Sequence, residues 1–266
     1  MDDTARRHAS QALLDAYASK TPIAPLTETY ENVSVDDAYA IQLMQIETFI
    51  ESGRTIKGHK VGLTSAAMQK MLGVDKPDYG HLVEDFFYLE HLPIPTEVFL
   101  QPRVEPEIAF VLKRSLQGPG VTVAEAIASV DFVIPALEIV DSRIAEWKIS
   151  LVDTIADNAS SGAVVLGSTP KLLRQVDLRL TGAVMTCDGQ IMGTGTGGAV
   201  LGSPINSLVW LANTVGTRGV ALEVGHVILP GALCGMVPVR AGDTISASFA
   251  GLGSVTANFA SDGGDA

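Results

Sequence analysis

The 266-residue sequence lacks several features that would assign it to whole classes of protein. It has two cysteines, Cys187 and Cys234, which are too few for a disulfide framework or a cysteine metal site. No apolar run approaches the roughly 18–20 residues that span a bilayer, and the polar start MDDTARRHAS contains no signal-peptide core. These absences predict a cytoplasmic protein.

Positive charge is also scarce, with 18 Lys and Arg residues against 30 Asp and Glu residues and a formal net charge of −12. Nucleic-acid binding requires a basic surface, so no nucleic-acid partner is expected. Hydrophobic residues make up 47% of the chain, which excludes global disorder and allows a large core. We expect one compact unit, with a helical N-terminal region containing one strand over residues 1–73 and a β-rich catalytic core over residues 74–266.

Periodicity and capping signals locate the helices and strands. Two helices are predicted from capping boxes, one that begins at Ser34 with Asp37 and ends at Gly53, and a short one that begins at Thr122 with Glu125. Further helices are predicted over residues 4–19, over 66–72, and from Ser203 to just before Gly216. Strands are predicted over 56–63, 99–113 and 129–142, followed by glycine-punctuated strands with a hairpin turn at Asp188-Gly189. Residues 261–266 are expected to form a loose tail.

The stretch RVEPEIAFVL, residues 103–112, places Glu105 and Glu107 two positions apart in an apolar run. Side chains two apart share one face of a strand, so the carboxylates would repel each other, and burial would increase the repulsion. A solvated outer face would avoid this, but apolar neighbours such as Val104 and Ile108 argue against it. A hard divalent cation would also resolve it, because Mg²⁺ and Mn²⁺ prefer carboxylate oxygens.

A third carboxylate strengthens the metal hypothesis. Glu138 lies in VIPALEIV, an apolar strand in which an isolated charge is costly. Three glutamates on two strands would leave coordination positions open for water or substrate, as catalytic Mg²⁺ requires. The alternatives are that Glu138 pairs with Arg143 or Arg103, or that it is exposed.

Lys60 shares a strand face with Gly58 and Gly62, which leave room for a ligand or for another backbone. Beside a metal site, this lysine could hold an anionic substrate or stabilise the charge of an enolate. On its own, the pattern is more simply that of an ordinary edge-strand lysine.

Other patterns indicate less. The segment GTGTGG, residues 193–198, formally matches a dinucleotide-binding motif but does not open a helix after a first strand. A GxSxG elbow and zinc-type histidine spacing do not occur. Asp78 and His81, in PDYGH, could be acid–base groups, but a loop turn is the simpler interpretation.

Four features occur in order along the chain: Lys60-Val61-Gly62, then GVDKPDYGHL over residues 73–82, then Glu105-x-Glu107, then Glu138. This order resembles the 2-hydroxypentadienoate hydratase and 4-oxalocrotonate decarboxylase family of the fumarylacetoacetate hydrolase superfamily. Further similar stretches are DTIADNASSGAVVLG, GAVLGSPINSLVWLAN, HVILPGAL and AGDTISASFAGLGSV. The resemblance extends over residues 34–259, nearly the whole chain.

The resemblance implies an α+β fold, in which a mixed, rolled β-sheet core of the fumarylacetoacetate hydrolase type lies beside a helical N-terminal region. It also implies roles for particular residues. The matching positions are Glu105, Glu107 and Glu138 for Mg²⁺ or Mn²⁺, Lys60 and Asp78 for proton chemistry, and Lys60 and Ser160 for substrate binding.

The implied activity is the hydration of 2-hydroxypenta-2,4-dienoate, or a longer homologue, to 4-hydroxy-2-oxopentanoate in meta-cleavage catabolism of aromatic or steroid rings. 4-Oxalocrotonate decarboxylase activity is the alternative, but the motifs show no extra basic residue for a second carboxylate. An acylpyruvate-type C–C hydrolase would need a Glu–His pair without a convincing counterpart here, and a non-catalytic partner subunit would not need the full residue set. The family further implies a homo-oligomer, with a pathway decarboxylase or aldolase as a further partner.

Overall fold

The structure, a computed structural model, describes residues 1–261. Apart from Ser261, the predicted C-terminal tail lies outside the described residues. Within residues 1–261 the α-helices are α1 Asp3–Ser19, α2 Leu26–Thr29, α3 Val35–Glu51, α4 Ala66–Leu72, α5 Val123–Ser129, α6 Leu151–Ala156 and α7 Pro204–Gly216.

The strands of this range form two sheets, which confirms the α+β class. The strands are β1 Ile56–Gly62, β2 Asp78–Val83, β3 Phe87–Leu89, β4 Pro93–Ile94, β5 Arg103–Leu112, β6 Val130–Val140, β7 Ser161–Leu166, β8 Gly182–Cys187, β9 Gln190–Thr196, β10 Val227–Leu229, β11 Val237–Pro238, β12 Thr244–Phe249 and β13 Gly253–Phe259. Parallel and antiparallel pairs occur together in both sheets.

The larger sheet follows the order β2-β1-β10-β5-β6-β7-β3, and β11 pairs with the beginning of β5. Its longest pair is the antiparallel ladder of β5 and β6, in which Glu105 lies directly opposite Glu138. β1 has β2 on one side and β10 on the other. Lys60 therefore lies on an interior strand, and the interpretation of it as an edge-strand lysine is wrong.

The smaller sheet follows the order β4-β13-β12-β8-β9 and packs against β6 through β12 and β13. The predicted hairpin turn joins β8 to β9. Asp188 and Gly189 both have positive φ, at 48° and 80°, as this two-residue turn requires.

The N-terminal helices pack beside the larger sheet, where α3 contacts both α1 and α6. The predicted capping box at the start of α3 is present, because the Ser34 hydroxyl accepts from the Asp37 N–H and the Asp37 carboxylate accepts from the Ser34 N–H. The box of Thr122 and Glu125 at the start of α5 is also present. Among the helices of residues 1–261, none has both the length and the hydrophobicity of a membrane span.

Some predictions of local structure need correction or stay open. PDYGH is not a loop turn, because Asp78 is the first residue of β2 and pairs with Gly62. The helix after Ser203 includes Gly216, and the Ser203 side chain makes no capping hydrogen bond. The division of the chain at residue 73 stays a prediction, and β1, which precedes it, is built into the larger sheet.

Candidate active site

A cavity of about 310 Å³ opens beside the larger sheet, at the lower end of the size range of ligand pockets. Its polar lining comes from several elements that the fold brings together. The polar lining residues are Lys60, Thr64, Ser65, Asp78, Glu105, Thr154 and Ser160. Lys60, Asp78 and Ser160 belong, together with Thr64 and Thr154, to the buried part of this lining, which we call the interior end of the cavity.

The three predicted glutamates lie together next to this cavity. Alternation along β5 places Glu105 and Glu107 on one face, and the β5–β6 register adds Glu138 opposite Glu105. One carboxylate oxygen of each lies within 4.8 Å of the other two. Only Glu105 of the three lines the cavity, while Glu107 and Glu138 are 0% and 1% exposed behind it.

Few protein groups donate hydrogen bonds to the oxygens of these glutamates. Glu107 Oε2 accepts from the Gly231 N–H at 2.8 Å. Within residues 1–261, Glu107 Oε1 and both oxygens of Glu138 are buried without a hydrogen-bond partner. Burial is the main cause that raises the pKa of all three carboxyls; together with neighbouring carboxylates it raises the pKa of Glu105 to about 7 and that of Glu107 well above its ordinary value. Buried, unsatisfied carboxylate oxygens fit a hard divalent cation such as Mg²⁺ or Mn²⁺.

Lys60 is the cationic partner of this cluster. Its Nζ lies 3.3 Å from Glu138 Oε1 and donates a hydrogen bond to the Ala159 carbonyl at 2.9 Å. Burial lowers the pKa of Lys60, but the attraction of Glu138 and the other carboxylates outweighs burial and leaves the pKa above its ordinary value. Glu138 thus pairs with Lys60, and the alternatives of a pair with Arg103 or Arg143, or of exposure, are wrong.

The glycines beside Lys60 make room for other groups of the protein. A β-carbon at Gly58 would overlap the carbonyl oxygen of Val227 in β10, and one at Gly62 would overlap Oδ1 of Asp78. The Thr154 hydroxyl donates to Asp78 Oδ2 at 3.2 Å, and Asp78 Oδ1 has no partner among the described residues. Burial raises the pKa of the Asp78 carboxyl, and Lys60 partly offsets this.

Ser160 belongs to a turn that the sequence does not reveal. Asn158, Ala159 and Ser160 have φ values of 51°, 51° and 52°, a left-handed conformation that costs about 1–2 kcal/mol per non-glycine residue. This turn points the Ala159 carbonyl at Lys60 and places Ser160 against the cavity. It is the main part of the site that the sequence did not indicate.

Buried polar contacts hold this turn in place. The fully buried Arg143 donates to Asp157 on one flank and to the Ser161 carbonyl on the other. The Asn158 side chain binds both backbone groups of His81. Since an unpartnered buried charge is costly, the ion pair of Arg143 and Asp157 keeps both flanks fixed.

The structure therefore brings the six predicted site residues to one place, and their individual roles stay predictions. His81 is not among them, because its side chain lies on the opposite face of β2 from Asp78 and packs against His59, with ring centroids 4.8 Å apart. None of the histidines in the described part of the chain lines the cavity. Thr154 and the Gly231 N–H support the site without having been predicted.

Comparison with known proteins agrees with this geometry. Residues 62–260 match the family model described as fumarylacetoacetate (FAA) hydrolase C-terminal. The chain is 48% identical to a 2-keto-4-pentenoate hydratase of Paraburkholderia xenovorans, covering 97% of this chain and 96% of that protein. It is 46% identical to the TodF product hydratase of Pseudomonas putida, covering 97% of this chain and 98% of that protein.

A solved structure of 4-oxalocrotonate decarboxylase from Pseudomonas putida, complexed with magnesium and adipate, superposes with a TM-score of 0.94 at 34% identity, over 97% of this chain and 98% of that one. The predicted fold type is thereby confirmed. Because the family model covers most of the chain and these relatives align over nearly all of it, the chain belongs to the fumarylacetoacetate hydrolase superfamily and, within it, to the family of 2-hydroxypentadienoate hydratases and 4-oxalocrotonate decarboxylases.

Proposed function

We propose that this chain is a hydro-lyase that adds water to 2-hydroxypenta-2,4-dienoate, or a longer homologue, in a reaction that depends on a divalent cation. The product is 4-hydroxy-2-oxopentanoate or its homologue. One observation carries the proposal, namely a buried lysine ammonium that lies 3.3 Å from one of three clustered glutamates, beside the cavity described above. The names of the 46–48% identical relatives support the same reaction class.

Glu105, Glu107 and Glu138 would hold the cation, and we infer Mg²⁺ or Mn²⁺ because both prefer oxygen ligands. When bound, the ion would act as a Lewis acid that favours the enolate form of the substrate. The magnesium complex of the 34% identical decarboxylase supports the choice of ion.

Lys60 supplies fixed positive charge at the interior end of the cavity. Its ammonium would bind an anionic oxygen of the substrate and stabilise the negative charge that develops when the C2 hydroxyl loses its proton. The Ser160 hydroxyl lines the same end and would donate a second hydrogen bond. The substrate head therefore enters first, with its tail toward the opening.

We assign the acid–base role to Asp78, because it lines this site and its Oδ1 has no hydrogen-bond partner among residues 1–261. In the first step the C2 hydroxyl would lose its proton to solvent and become the C2 carbonyl, the C2=C3 double bond would shift to C3=C4, and the C4=C5 electron pair would take a proton from Asp78 at C5, which leaves an α,β-unsaturated 2-oxo acid. Water would then add across C3=C4, with its hydroxyl on C4 and a proton taken from solvent on C3. Asp78, ionised by the first step, can accept the proton of this water.

The decarboxylase reaction is the second candidate, because the chain is 34% identical to a 4-oxalocrotonate decarboxylase over nearly its full length. The cavity lining favours the hydratase, since Lys60 is its one cation within residues 1–261. The hydrolase alternative lacks support, because no histidine of the described chain lines the cavity. We also propose that the chain acts in the cytoplasm and forms a homo-oligomer. Light scattering of the purified protein would measure its oligomeric state.

The deciding experiment offers two substrates separately in the presence of Mg²⁺. 2-Hydroxypenta-2,4-dienoate should give 4-hydroxy-2-oxopentanoate, identified by NMR, and 2-oxohex-3-enedioate should release no CO₂. Release of CO₂ from the second substrate without hydration of the first would establish the decarboxylase instead.

A further inference from the structure

One peptide group next to the three clustered glutamates is hydrogen-bonded at both ends. The peptide between Pro230 and Gly231 follows β10 directly, and its N–H donates to Glu107 Oε2 at 2.8 Å. Its carbonyl oxygen accepts from the Ser207 hydroxyl at 2.5 Å. Because the N–H and the C=O of a trans peptide point in opposite directions, a helix hydroxyl and a clustered carboxylate hold this peptide from opposite sides.

The hydroxyl donor is a buried serine, since Ser207 lies in the first turn of α7 and is 0% exposed. A serine within a helix often donates to the carbonyl four residues earlier, but Ser207 donates to Pro230, 23 residues later in the chain. Its neighbours Leu208 and Leu211 are buried and apolar, so the hydroxyl would be costly there without the Pro230 carbonyl. The helix therefore carries a polar group whose hydrogen-bond partner is the peptide beside Glu107.

The surroundings of Gly231 restrict this peptide further. Gly231 has a φ of 127°, which favours glycine, and a β-carbon at this position would overlap the Thr64 side chain. Thr64 is itself buried, and its carbonyl accepts from the Leu201 N–H at 3.1 Å. The Gly231 backbone is thus packed against a buried side chain, and Ser207 fixes the direction of the adjoining carbonyl.

The hydrogen bond from Gly231 leaves the second oxygen of Glu107 unused. It is the one hydrogen bond that Glu107 accepts within the described chain, and Oε1 is buried without a partner. Fixing Oε2 sets the orientation of the whole carboxylate, because its two oxygens are rigidly joined. A hydroxyl on the carbonyl side also polarises the peptide and strengthens its N–H as a donor. Hydrogen-bond partners of this kind orient metal ligands, and their loss typically lowers metal affinity about 10- to 100-fold.

We propose that Ser207 is a positioning residue of the metal site, which acts through the peptide between Pro230 and Gly231 to hold Glu107 in the orientation that binds the cation. The inference rests on the proposed function and adds a residue that neither lines the cavity nor forms a hydrogen bond with a glutamate. Removal of the Ser207 hydroxyl should therefore weaken cation binding, although the three glutamates are all retained.

Mn²⁺ binding measured by electron paramagnetic resonance separates this effect from catalysis. Ser207→Ala should raise the Mn²⁺ dissociation constant about 10- to 100-fold. Ser207→Thr keeps a hydroxyl and should retain the wild-type affinity, although it should melt at a lower temperature because its extra methyl group overpacks a buried position. The matched control is Ser129→Ala, because Ser129 is a buried serine of α5 whose hydroxyl donates to the Glu125 carbonyl at 2.8 Å. Its Mn²⁺ affinity should equal that of the wild type.

The Mg²⁺ dependence of turnover is the second measurement. Ser207→Ala should need about 10- to 100-fold more Mg²⁺ for half-maximal turnover and should recover most of kcat when Mg²⁺ is saturating, because the groups that meet the substrate are unchanged. A loss of kcat that saturating Mg²⁺ does not restore would contradict a role through the metal. If Ser207→Ala folds poorly, Ser207→Cys replaces it, and its weaker S–H donor should also raise the Mn²⁺ dissociation constant.

Three outcomes would refute the assignment of Ser207. They are wild-type Mn²⁺ affinity in the folded alanine or cysteine variant, an equal loss of affinity in Ser129→Ala, and a loss in Ser207→Thr as large as that in Ser207→Ala. In the first case Ser207 would only satisfy a buried carbonyl. A wild-type protein that binds no Mn²⁺ would refute the proposed function itself, so the two failures are distinct.

Discussion

Two clusters of acidic groups in this molecule have similar spacing and different surroundings. In each of them, one ligand atom per residue lies within 4.8 Å of the others. The first cluster is the trio of Glu105, Glu107 and Glu138 in the larger sheet. The second comprises Cys187, Asp188 and Asp243 at the turn end of the smaller sheet.

The second cluster is satisfied by the protein and by solvent. Asp188 Oδ1 accepts from the Thr244 N–H at 3.1 Å, and Asp243 Oδ2 accepts from the Arg240 N–H at 2.8 Å. These carboxylates close turns, and Asp188 is exposed. In the glutamate trio, by contrast, three of the buried oxygens accept no hydrogen bond within residues 1–261, and only one of these, Glu138 Oε1, has a cation beside it, the Lys60 ammonium at 3.3 Å. Close spacing of carboxylates is therefore weak evidence for a metal site, whereas buried carboxylate oxygens that accept no hydrogen bond are strong evidence for one.

Metal removal should have the largest effect on activity, because the glutamate trio should bind the required metal and the second cluster should not. Exhaustive EDTA treatment should abolish turnover, and Mg²⁺ or Mn²⁺ should restore it, because the single charge of Lys60 cannot offset three clustered carboxylates. Mn²⁺ binding measured by electron paramagnetic resonance should be unchanged in Asp188→Asn. Full activity in a preparation verified as metal-free would contradict this prediction.

Glu107→Gln should lower kcat/KM by at least about 10³-fold, since it removes one of three ionic ligands. In EDTA the variant should melt no lower than the wild type, because the substitution relieves repulsion between buried carboxylates. The matched substitution Asp188→Asn should change activity less than about 2-fold, as expected for an exposed side chain. A Glu107→Gln protein that melts much lower than wild type in EDTA would show that Glu107 is structural.

Lys60→Met and Asp78→Asn should each lower kcat by about 10²-fold or more, the usual scale for a positioned charge or acid, while Mn²⁺ binding persists. NMR in D₂O assigns the step. A variant defective in tautomerisation should fail to exchange the C3 and C5 protons of the substrate, whereas one defective in hydration should exchange them without forming the 4-hydroxy product. Turnover within a few-fold of wild type in both variants would remove both residues from the mechanism.

The smallest effect on activity is expected from substitutions in a third cluster, which is buried and in which the atoms without hydrogen-bond partners are nitrogens. His59 and His81 lie opposite each other on β1 and β2, and His226 lies 5.6 Å from His59 between ring centroids. Both ring nitrogens of His59 and Nδ1 of His81 have no partner within the described chain. Burial lowers the pKa of His81 to about 4 and that of His59 well below its ordinary value.

These lowered pKa values determine whether the free energy of unfolding rises or falls with pH. Above pH 6.5 His81 is neutral in both the folded and the unfolded protein, and as the pH falls toward 4 only the unfolded state takes up the proton. The folded state should therefore lose up to roughly 3 kcal/mol between pH 6.5 and 4 through His81. His226 adds to this loss, because burial lowers its pKa; Glu223 opposes that shift and Lys57 reinforces it.

Urea unfolding of the wild type and of His81→Phe, measured between pH 7 and 5, tests this sign. The variant should lose less stability over that interval than the wild type, with equal kcat at pH 7 because His81 lies outside the cavity. Parallel curves for the two proteins would show that burial of His81 does not contribute to acid sensitivity.

The features predicted from the sequence were the ones that short-range rules control. The capping box of Ser34 and Asp37 depends on residues three apart, and the shared face of Glu105 and Glu107 depends on residues two apart. Both were predicted correctly for that reason. The apolar strand around Glu138 predicted its grouping with these two glutamates at a metal site, and the family resemblance added Asp78 and Ser160 to the site and gave Lys60 its role there.

The remaining features depend on pairing between distant segments. The interior position of β1 follows from its pairing with β10, about 170 residues later in the chain, as the register of Lys60 with Leu229 shows. Asp78 looked like a turn residue because PDYG has turn composition, and only its pairing with β1 makes it a buried strand residue. The left-handed turn at Ala159 and Ser160 is not visible in the sequence, because these residue types rarely adopt it.

The contact between Gly62 and Asp78 has a consequence for descent as well as for chemistry. A β-carbon at position 62 would overlap Oδ1 of Asp78 and displace this carboxylate from its present position, so we expect the acid to be retained in lineages that keep glycine there. A lineage that first loses the acid is free to acquire a larger residue at position 62. From then on, a single mutation that restores aspartate meets an occupied space. Loss of the acid is then one evolutionary step, and its recovery requires two.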